Sequence, residues 1–322
     1  MNRPTLSICI PTYNRAHYLE ECLESINIQL TNNRVLSDSI EVVVSDNHST
    51  DNTAQIAKKY ESVFKNFKYA LNDGVEYDLN VYNAVKNSTG KYCWYMGDDD
   101  VIMNGGLELI YNCLKDDHYD VACVEAEPIT ASKDYLIKKH FSKNLLIEEN
   151  DFNEFYFKGY CKGILSVLIF NREIWIGTVD TLNYLKSCLY YETVLKMLVS
   201  TQKKMLYIKQ PIVMTGQDCR WAENGGELFT FINFNILSEV IIAFGFDKEI
   251  ILKGLIKNNK RLPIILLMAK GHGLKCNIEN LKYIYKNSQR VSFLRLCLVT
   301  LIYFIPNWLV VIIRDFRKYL KN

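Results

Sequence analysis

Short apolar runs and segments of helical periodicity alternate along the first third of the chain. Each run is four or five residues long, which suits a strand buried on both faces and is too short for an ordinary helix. The predicted strands are Leu6–Ile10, Ile40–Val44, Phe67–Leu71, Tyr92–Met96 and Val121–Val124. Strands that alternate with helices predict an α/β fold with a doubly wound, mostly parallel sheet.

Polar side chains follow three of these strands, at the point where each strand ends. Thr12 and Asn14 follow the first strand, Asp46 and Asn47 follow the second, and Asp98–Asp100 follow the fourth. In doubly wound sheets, ligands bind in the crevice beyond the carboxyl ends of the strands. Because three polar strand ends share one edge of the predicted sheet, the sequence predicts a binding site there.

The acidic run Asp98–Asp100 places three like charges side by side at the end of a core strand. A divalent cation would relieve their repulsion, since hard cations prefer oxygen ligands. A solvated acidic turn that opens the next helix explains the same residues, because the first turn of a helix favours Asp. The run alone is compatible with both interpretations.

Beyond this segment the sequence predicts a little more strand and then mostly helix. Two short strands are predicted at Met205–Ile208 and Ile212–Met214, on either side of a proline, and apolar residues with helical spacing prevail from about Glu227. We therefore expect an α/β domain at residues 1–225 and a helical C-terminal region at residues 226–322.

The segment Phe293–Ile313 is largely apolar but is interrupted by Arg295 and Pro306, and each half is too short to span a bilayer. From Lys286 to the end there are seven basic residues and one acidic residue: Lys286, Arg290, Arg295, Arg314, Arg317, Lys318, Lys321 and Asp315. An amphipathic helix pair on an anionic membrane surface explains this pattern. A core helix packed on the N-terminal domain explains the apolar positions equally.

Composition narrows the class of protein. The chain has 322 residues, 49% of them hydrophobic, which is enough for a large core. Lys and Arg total 38, and Asp and Glu total 36. This balance argues neither for nor against binding to nucleic acid, and we expect no nucleic-acid partner. Ten cysteines form no Cys-x-x-Cys pair and the start does not resemble a signal peptide, so we expect a reducing cytoplasm. The scattered histidines make a zinc site improbable.

The turn after the first strand excludes two common nucleotide motifs. A dinucleotide enzyme would have Gly-x-Gly-x-x-Gly there, but the chain has Pro11-Thr12-Tyr13-Asn14, and it contains no P-loop sequence. A site rich in Asp and Asn suits hydrogen bonds to a base and a ribose, with a metal that neutralises a diphosphate. With dinucleotide and P-loop sites excluded, a nucleotide-activated substrate is the remaining ligand class that suits this site.

Four blocks of the sequence, in order and spacing, resemble the successive blocks of family 2 glycosyltransferases, which have the GT-A fold. They are Ser7–Arg15, Val43–Asp51, Asn72–Gly74 and Gly90–Asp100. Within that family the chain resembles bacterial O-antigen transferases of the abequosyltransferase type, through Tyr92-Cys93-Trp94 and through Leu165–Trp175.

The resemblance implies a nucleotide-sugar site. Asp46 matches the carboxylate that accepts a hydrogen bond from the nucleotide base, and Thr12 and the backbone near Pro11 line the same pocket. Asn14 and Asn47 belong to this site by the same match.

The resemblance also implies a metal, Mn²⁺ or Mg²⁺. Asp98 matches the residue that touches ribose or metal, and Asp99 matches the principal metal ligand, with Asp100 able to share the task. Asp78 and Asn80 lie where the family has a polar loop near the phosphates. We expect Asp100 to tolerate Asn best of the three aspartates.

Two positions depart from the family pattern beside this site. Leu79 stands where Arg is common, and Gly97 stands where the family often has Asp. The first departure puts one phosphate contact in doubt.

The family uses an acidic pair at the start of a late helix to remove the proton of the acceptor hydroxyl. Glu192 in Tyr190–Leu195 matches it, with Thr193 in place of the usual Asp. Glu192 is therefore the candidate catalytic base. A negative charge at a helix N-terminus is the structural alternative for Glu192, and Glu125 and Glu127 are the alternative bases.

The segment Gln217–Trp221 resembles the Gln-x-x-Arg-Trp motif of processive polysaccharide synthases. In that interpretation Arg220 meets the diphosphate and Trp221 stacks on an acceptor sugar. A pentapeptide of this kind also arises by chance.

Together, the sequence and the resemblance imply a metal-dependent, inverting glycosyltransferase. It would move a sugar from a nucleotide-sugar donor to a polyprenyl-diphosphate-linked saccharide in surface polysaccharide synthesis. We expect it to be peripheral on the cytoplasmic face of the plasma membrane, with the C-terminal tail on the membrane surface. A processive synthase, a transferase acting on protein and a catalytically silent GT-A scaffold are the alternatives.

Overall fold

The computed structural model describes residues 3–31, 33–116, 118–129, 136–137, 139, 141, 145–182, 189–216, 226–287 and 291–312. The chain divides into two compact units. The N-terminal unit comprises Met1–Tyr184 and Leu189–Asp218, and the C-terminal unit comprises Leu185–Cys188 and Cys219–Asn322.

The N-terminal unit is built on one mixed sheet. Its strands in the described residues are β1 (Leu6–Thr12), β2 (Ile40–Asp46), β3 (Phe67–Leu71), β4 (Tyr92–Tyr95), β5 (Val101–Ile102), β6 (Tyr119–Pro128), β7 (Leu146–Glu149), β8 (Leu168–Asn171) and β9 (Lys204–Thr215). They are ordered β3-β2-β1-β4-β8-β6-β9-β5, with β7 paired to β9.

Helices pack around this sheet. Those of the N-terminal unit are α1 (Ala16–Leu30), α2 (Arg34–Ser39), α3 (Thr53–Glu61), α4 (Tyr77–Asn87), α5 (Gly106–Leu114), α6 (Phe152–Phe157), α7 (Arg172–Val179) and α8 (Leu189–Ser200). The α/β class predicted from the alternating pattern is confirmed.

The first half of the sheet is parallel and fully buried at its centre, as the apolar runs predict. Every residue of β1, β2 and β4 is buried. The register pairs Thr12 with Asp46 across β1 and β2, while Cys9 pairs with Tyr95 of β4. Parallel register therefore brings the polar ends of these three strands to the same edge of the sheet.

The second half of the sheet contains two features that the sequence did not predict. Strand β8 runs antiparallel between β4 and β6, and no strand was expected there. The two short strands expected around Pro211 are one continuous strand, β9, whose register against β6 shifts at Glu125, opposite Pro211. A bulge accommodates a proline, which cannot donate to a ladder, without ending the strand.

The C-terminal unit is helical. Its described helices are α9 (Gly226–Phe244), α10 (Lys248–Asn259), α11 (Leu262–Gly271), α12 (Ile278–Asn287) and α13 (Phe293–Phe304). Their core includes Leu228, Leu262, Leu266, Ala269, Leu274, Ile284, Val291, Val299, Ile302 and Tyr303. Within the described residues no helix is both long enough and apolar enough to cross a membrane.

Candidate functional site

The loops after β1 and β2 are fastened to each other by side-chain amides and hydroxyls. Asn14, in the left-handed region at φ 52°, accepts a hydrogen bond from the backbone N–H of Thr50 at 2.7 Å, and its own N–H donates to Ser49 Oγ at 2.8 Å. Asn47 exchanges two 2.7 Å hydrogen bonds with the backbone of Val75. Asn14 and Asn47 thus fix the conformation of the loops at this edge of the sheet, and their contact with a nucleotide sugar stays a prediction.

Asp46 lies at the end of β2 and is completely buried. Its Oδ1 accepts from the N–H of Ser49 at 3.0 Å and from the Ser49 hydroxyl at 2.6 Å, while Oδ2 accepts from the Tyr69 hydroxyl at 2.6 Å. A carboxylate has about four lone-pair positions, so these donors leave about one for a ligand. Its role toward a nucleotide base stays a prediction.

Asn80, on α4, is buried and belongs to the scaffold beneath the loops. Its Oδ1 accepts from Ser45 Oγ at 2.7 Å and from Asn72 Nδ2 at 2.9 Å, and its Nδ2 donates to the carbonyl of Thr12 at 3.3 Å. These partners hold the ends of β1 and β2 together, so the geometry does not favour Asn80 as a phosphate contact. Asp78 lies in the first turn of the same helix.

The three consecutive aspartates after β4 do not point at one another. Asp98, 4% exposed, accepts from Thr12 Oγ1 at 2.7 Å and from Arg15 Nη1 at 2.7 Å. Burial raises the pKa of Asp98 to about 6, although the Arg15 guanidinium and the Thr12 hydroxyl act in the opposite direction. Asp98 is thus held by the protein on both oxygens.

Asp100 is buried on the other side of the turn. Its Oδ2 accepts from the Ser166 hydroxyl and its Oδ1 from the N–H of Gly216 at 2.8 Å. Burial raises the pKa of Asp100 to about 7, while the Ser166 hydroxyl acts in the opposite direction. With both oxygens bonded to protein, Asp100 is poorly placed to share a metal with Asp99. That Asp100 tolerates Asn best of the three stays a prediction for metal binding, whereas the loss of a buried carboxylate should lower the stability of the fold.

Gly97 and Ser166 explain how this turn closes. The N–H of Gly97 donates to Ser166 Oγ at 2.7 Å, so the serine bridges Gly97 and Asp100. A Cβ at Gly97 would lie 2.8 Å from Asp100 Oδ2, which is too close for any side chain. The glycine at a position where relatives often have Asp is therefore a steric requirement of the buried Asp100.

Asp99 is the most accessible of the three carboxylates, with 17% of its side chain exposed. Arg15 lies beside it, with Nη1 3.4 Å from Oδ1 and Nη2 3.4 Å from Oδ2. The same guanidinium binds Asp98 at 2.7 Å, so one cation faces two carboxylates. In the described residues no three or more His, Cys, Asp or Glu side chains converge as a metal cage.

The residues present nevertheless fit a substrate-completed metal site. Mg²⁺ is usually bound through one or two carboxylates, with substrate phosphates and water as the other ligands. Asp99 provides one such carboxylate at the edge of the sheet. Gly216 permits close packing behind it, because a Cβ there would lie 2.8 Å from Asp99 Oδ2.

The candidate bases lie in different surroundings. Glu192, in the first turn of α8, is 4% exposed. Glu125, at the bulge of β6, accepts from Lys162 and from the Tyr207 hydroxyl. Burial would raise the pKa of Glu125, but these two hydrogen bonds outweigh it and hold the pKa below its usual value. A carboxylate held ionised in this way is a weak base, which counts against Glu125. The assignment of Glu192 as the base stays a prediction.

Arg220 and Trp221 lie outside the described residues. Sequence reasoning missed four residues that shape the site: Arg15, Tyr69, Ser166 and Gly216. Arg15 directly follows Asn14 in the block Ser7–Arg15, and Ser166 lies in the Leu165–Trp175 segment. Their positions were therefore visible, but their partners come from distant parts of the chain.

Comparison with known proteins agrees with this architecture. The model of the family "Glycosyl transferase family 2" matches residues 7–170. The abequosyltransferase RfbV of Salmonella typhimurium is 27% identical over 271 residues, 79% of each chain. A Campylobacter jejuni enzyme, GalNAc(5)-diNAcBac-PP-undecaprenol beta-1,3-glucosyltransferase, is 26% identical over 53% of this chain and 56% of its own.

Among solved structures, Staphylococcus aureus TarS 1-349 in complex with UDP-GlcNAc superposes with a TM-score of 0.58 at 15% identity, over 88% of each chain. The mannosyltransferase PcManGT of Pyrobaculum calidifontis, in complex with GDP-Man and Mn²⁺, superposes with a TM-score of 0.55 at 15% identity, over 98% of this chain and 88% of that one. These likenesses establish a GT-A fold.

Proposed function

The chain belongs to glycosyl transferase family 2, and we propose that this glycosyltransferase moves one sugar, with inversion, from a nucleotide-sugar donor to a lipid-linked saccharide of a surface polysaccharide. The observation that carries the proposal is the edge formed by the ends of β1, β2 and β4. There Asp99 is the accessible carboxylate, beside the cationic Arg15. A diphosphate leaving group needs positive charge, which a cation held by Asp99 and the Arg15 guanidinium would supply.

In this proposal Asp99 holds a divalent cation, Mn²⁺ or Mg²⁺. When bound, the cation stabilises the negative charge that builds on the leaving nucleoside diphosphate. Thr12 and Arg15 orient Asp98 at the ribose side of the pocket through their 2.7 Å hydrogen bonds. Asp46, positioned by Ser49 and Tyr69, receives the base.

Glu192 removes the proton of the acceptor hydroxyl. As the hydroxyl oxygen bonds to the anomeric carbon from one face, the bond to the diphosphate breaks on the other, which inverts the configuration. The proton passes to the Glu192 carboxylate and the electron pair of the broken bond leaves with the nucleoside diphosphate. Burial of Glu192 supports this role, because water is kept from the base.

The acceptor is proposed from the relatives. The name of the Campylobacter jejuni relative specifies a PP-undecaprenol acceptor, and the Salmonella relative is an abequosyltransferase. We propose a polyprenyl-diphosphate-linked saccharide as acceptor, used at the cytoplasmic face of the plasma membrane by a peripheral protein.

Nucleotide binding tests the proposal before the acceptor is known. Isothermal titration with UDP, GDP, CDP and dTDP, each with and without Mn²⁺, should give one nucleotide that binds at least ten-fold tighter with the metal. Asp99→Asn should lose this dependence on the metal. Asp116→Asn, a surface variant after α5, is its matched control and should bind like the parent. Binding that ignores the metal, together with no hydrolysis of donor sugars, would instead support a silent scaffold module.

A further inference from the structure

Helix α13 of the C-terminal unit displays an apolar face to solvent. Its exposed apolar positions follow helical spacing along one side: Phe293, Leu294, Cys297, Leu298, Leu301 and Phe304. Leu294 is 81% exposed, Leu301 69% and Phe304 70%. Surface helices of globular proteins normally show charged and polar residues on the side that faces water. We call these six residues the outer face of α13.

The opposite side of α13 is fixed to the core of its unit, so the outer face is not exposed by free rotation of the helix. Val299, Ile302 and Tyr303 belong to that core. The Tyr303 hydroxyl donates to the carbonyl of Asn277 at 2.6 Å, and the buried ammonium of Lys270 donates to the carbonyl of Tyr303 at 2.8 Å. Turning the outer face toward the core of its own unit would require these contacts to break.

The apolar surface continues past the end of α13. After Pro306, Trp308 is 65% exposed and Ile312, four residues later, is 56% exposed. Tryptophan is enriched where proteins meet the boundary between lipid headgroups and hydrocarbon, because its ring is apolar and its N–H is polar. The exposed Leu and Phe side chains of α13, together with the exposed Trp308, have the composition of a segment that lies at this boundary.

The dimensions of α13 decide how it would meet a bilayer. A helix of 12 residues is about 18 Å long, whereas the hydrocarbon core is about 30 Å thick. The helix is therefore too short to cross, and it would lie in the plane of the interface with its outer face toward the acyl chains.

Charge indicates which lipid surface is favoured. Arg295 lies in the first turn of α13, and Arg314, Arg317, Lys318 and Lys321 follow in the sequence, against Asp315 alone. Basic residues next to an apolar helix face are attracted to anionic headgroups, by about 1 kcal/mol for each residue near the surface. A second copy of the chain has the same excess of basic residues in this part of its sequence, so charge favours an anionic surface over a second copy.

We propose that the outer face of α13, with Trp308, is a docking surface for an anionic lipid bilayer. The inference deepens the proposed function, since a protein docked in this way meets a lipid-linked acceptor on a surface rather than in solution. Its test uses neither donor nor acceptor. A chain that does not bind lipid can therefore still bind nucleotide, and a chain that does not bind nucleotide can still bind lipid. The two proposals are tested separately.

Vesicle flotation of the full chain tests the surface. With vesicles of phosphatidylcholine and phosphatidylglycerol at 3:1, the protein should partition at least ten-fold more strongly than with phosphatidylcholine alone, and added salt should weaken the binding. The double variant L294S/L301S should lower partition at least ten-fold. The matched control I256S/I278S removes two exposed aliphatic side chains, 54% and 73% exposed, from α10 and α12, and should bind like the parent.

Trp308 provides an independent signal. Of the four tryptophans, Trp94 and Trp175 are fully buried, and Trp221 would be replaced by Phe so that the emission reports Trp308. A blue shift of tryptophan emission on adding the anionic vesicles should appear in Trp221→Phe and vanish when Trp308→Phe is added to it. The proposal is overturned if the full chain does not float, or if the control loses as much binding as L294S/L301S. It is also overturned if L294S/L301S converts a dimer to a monomer without affecting flotation, because the face would then join two copies.

Discussion

The two edges of the parallel sheet both contain buried carboxylates, but they use them differently. At the amino ends of the strands, Glu41 accepts from Ser7 Oγ at 2.5 Å, from the N–H of Thr89 at 2.7 Å and from Thr89 Oγ1 at 2.8 Å. The N–H of Gly90 in turn donates to Ser7 Oγ at 2.8 Å. This network joins β1, β2 and the entry to β4 with neutral donors alone.

At the carboxyl ends, the carboxylates are only partly matched by neutral donors. Asp98 and Asp99 share the cationic Arg15, and Asp99 remains 17% exposed. A buried charge is costly unless it is paired, so an arrangement that leaves one carboxylate accessible beside a cation is typical of a binding site. The difference shows which carboxylate is free to take a ligand: Asp99 is accessible beside a cation, whereas Glu41 is buried and bonded to neutral donors on both oxygens.

Removing the accessible carboxylate should have the largest effect. Asp99→Asn should lower the rate of sugar transfer by about 10³-fold or more, because it removes several kcal/mol of charge stabilisation from the leaving diphosphate. Circular dichroism should be unchanged, since the side chain has few protein partners. Asp116→Asn is the control. Nearly full activity of Asp99→Asn would show that Asp99 is a structural carboxylate and does not hold the metal.

Glu192→Gln should come next, with transfer lowered by about 10²-fold or more through loss of the base. Donor binding, measured by titration with the preferred nucleoside diphosphate, should stay within two-fold of the parent. Transfer near the parental rate would show that another group removes the proton, and Glu125→Gln would then be compared.

Arg15→Gln sharpens the account of the paired carboxylates. Without the guanidinium, Mn²⁺ alone should bind at least as tightly as to the parent, because a competing cation has been removed. The nucleoside diphosphate should bind about ten-fold more weakly, which corresponds to one lost charge-assisted hydrogen bond. Electron paramagnetic resonance of free Mn²⁺ measures the first effect. Weaker binding of Mn²⁺ alone would contradict the role of Arg15 as a counter-cation.

At the opposite edge, Glu41→Gln should change stability and leave catalysis alone. Replacing the carboxylate leaves buried donors poorly matched, which costs about 1–3 kcal/mol, and the melting temperature should fall accordingly. The exposed Glu61→Gln is the control. Loss of kcat at a temperature where the variant is folded would break the distinction between the two edges.

Glu125 should behave like Glu41, with the smallest effect. Hydrogen bonds from Lys162 and Tyr207 lower the pKa of Glu125, so its stabilising contribution is present above the unfolded pKa and is lost as pH falls through the folded value. The melting temperature of Glu125→Gln should therefore lie below that of the parent at pH 7 and converge with it toward pH 3. A difference in melting temperature that stays constant between pH 7 and acid pH would contradict this role of Glu125.

The fold was predictable where contacts are local in pattern. Alternation of apolar runs and helices predicted the parallel strands β1 to β4. Strands β1, β2 and β4 are buried on both faces and have the composition of such strands, while the partly exposed β3 was indicated by its apolar run and the turn after it. Strand β8 was not predictable in this way, since its four residues enter the sheet by antiparallel pairing with β4, far away in sequence. The continuity of β9 through Pro211 depends on a bulge that periodicity does not reveal.

The candidate site was predictable to the level of residue type. The sequence brought Asp46 and Asp98–Asp100 to one edge, and the structure agrees. It did not reveal that Asp100 is bound by Ser166 and Gly216, because those partners stand 66 and 116 residues away. Nor did it reveal that Arg15 faces both Asp98 and Asp99.

Metal binding by the three single Asp→Asn variants tests the central claim most directly. Mn²⁺ would be titrated, with electron paramagnetic resonance detection, into each variant in the presence of the nucleoside diphosphate that binds the parent best. We expect Asp99→Asn to weaken Mn²⁺ binding at least 100-fold, and Asp100→Asn to bind Mn²⁺ within three-fold of the parent but melt at a lower temperature. Equal losses in Asp98→Asn, Asp99→Asn and Asp100→Asn would contradict the assignment of Asp99 as the metal ligand.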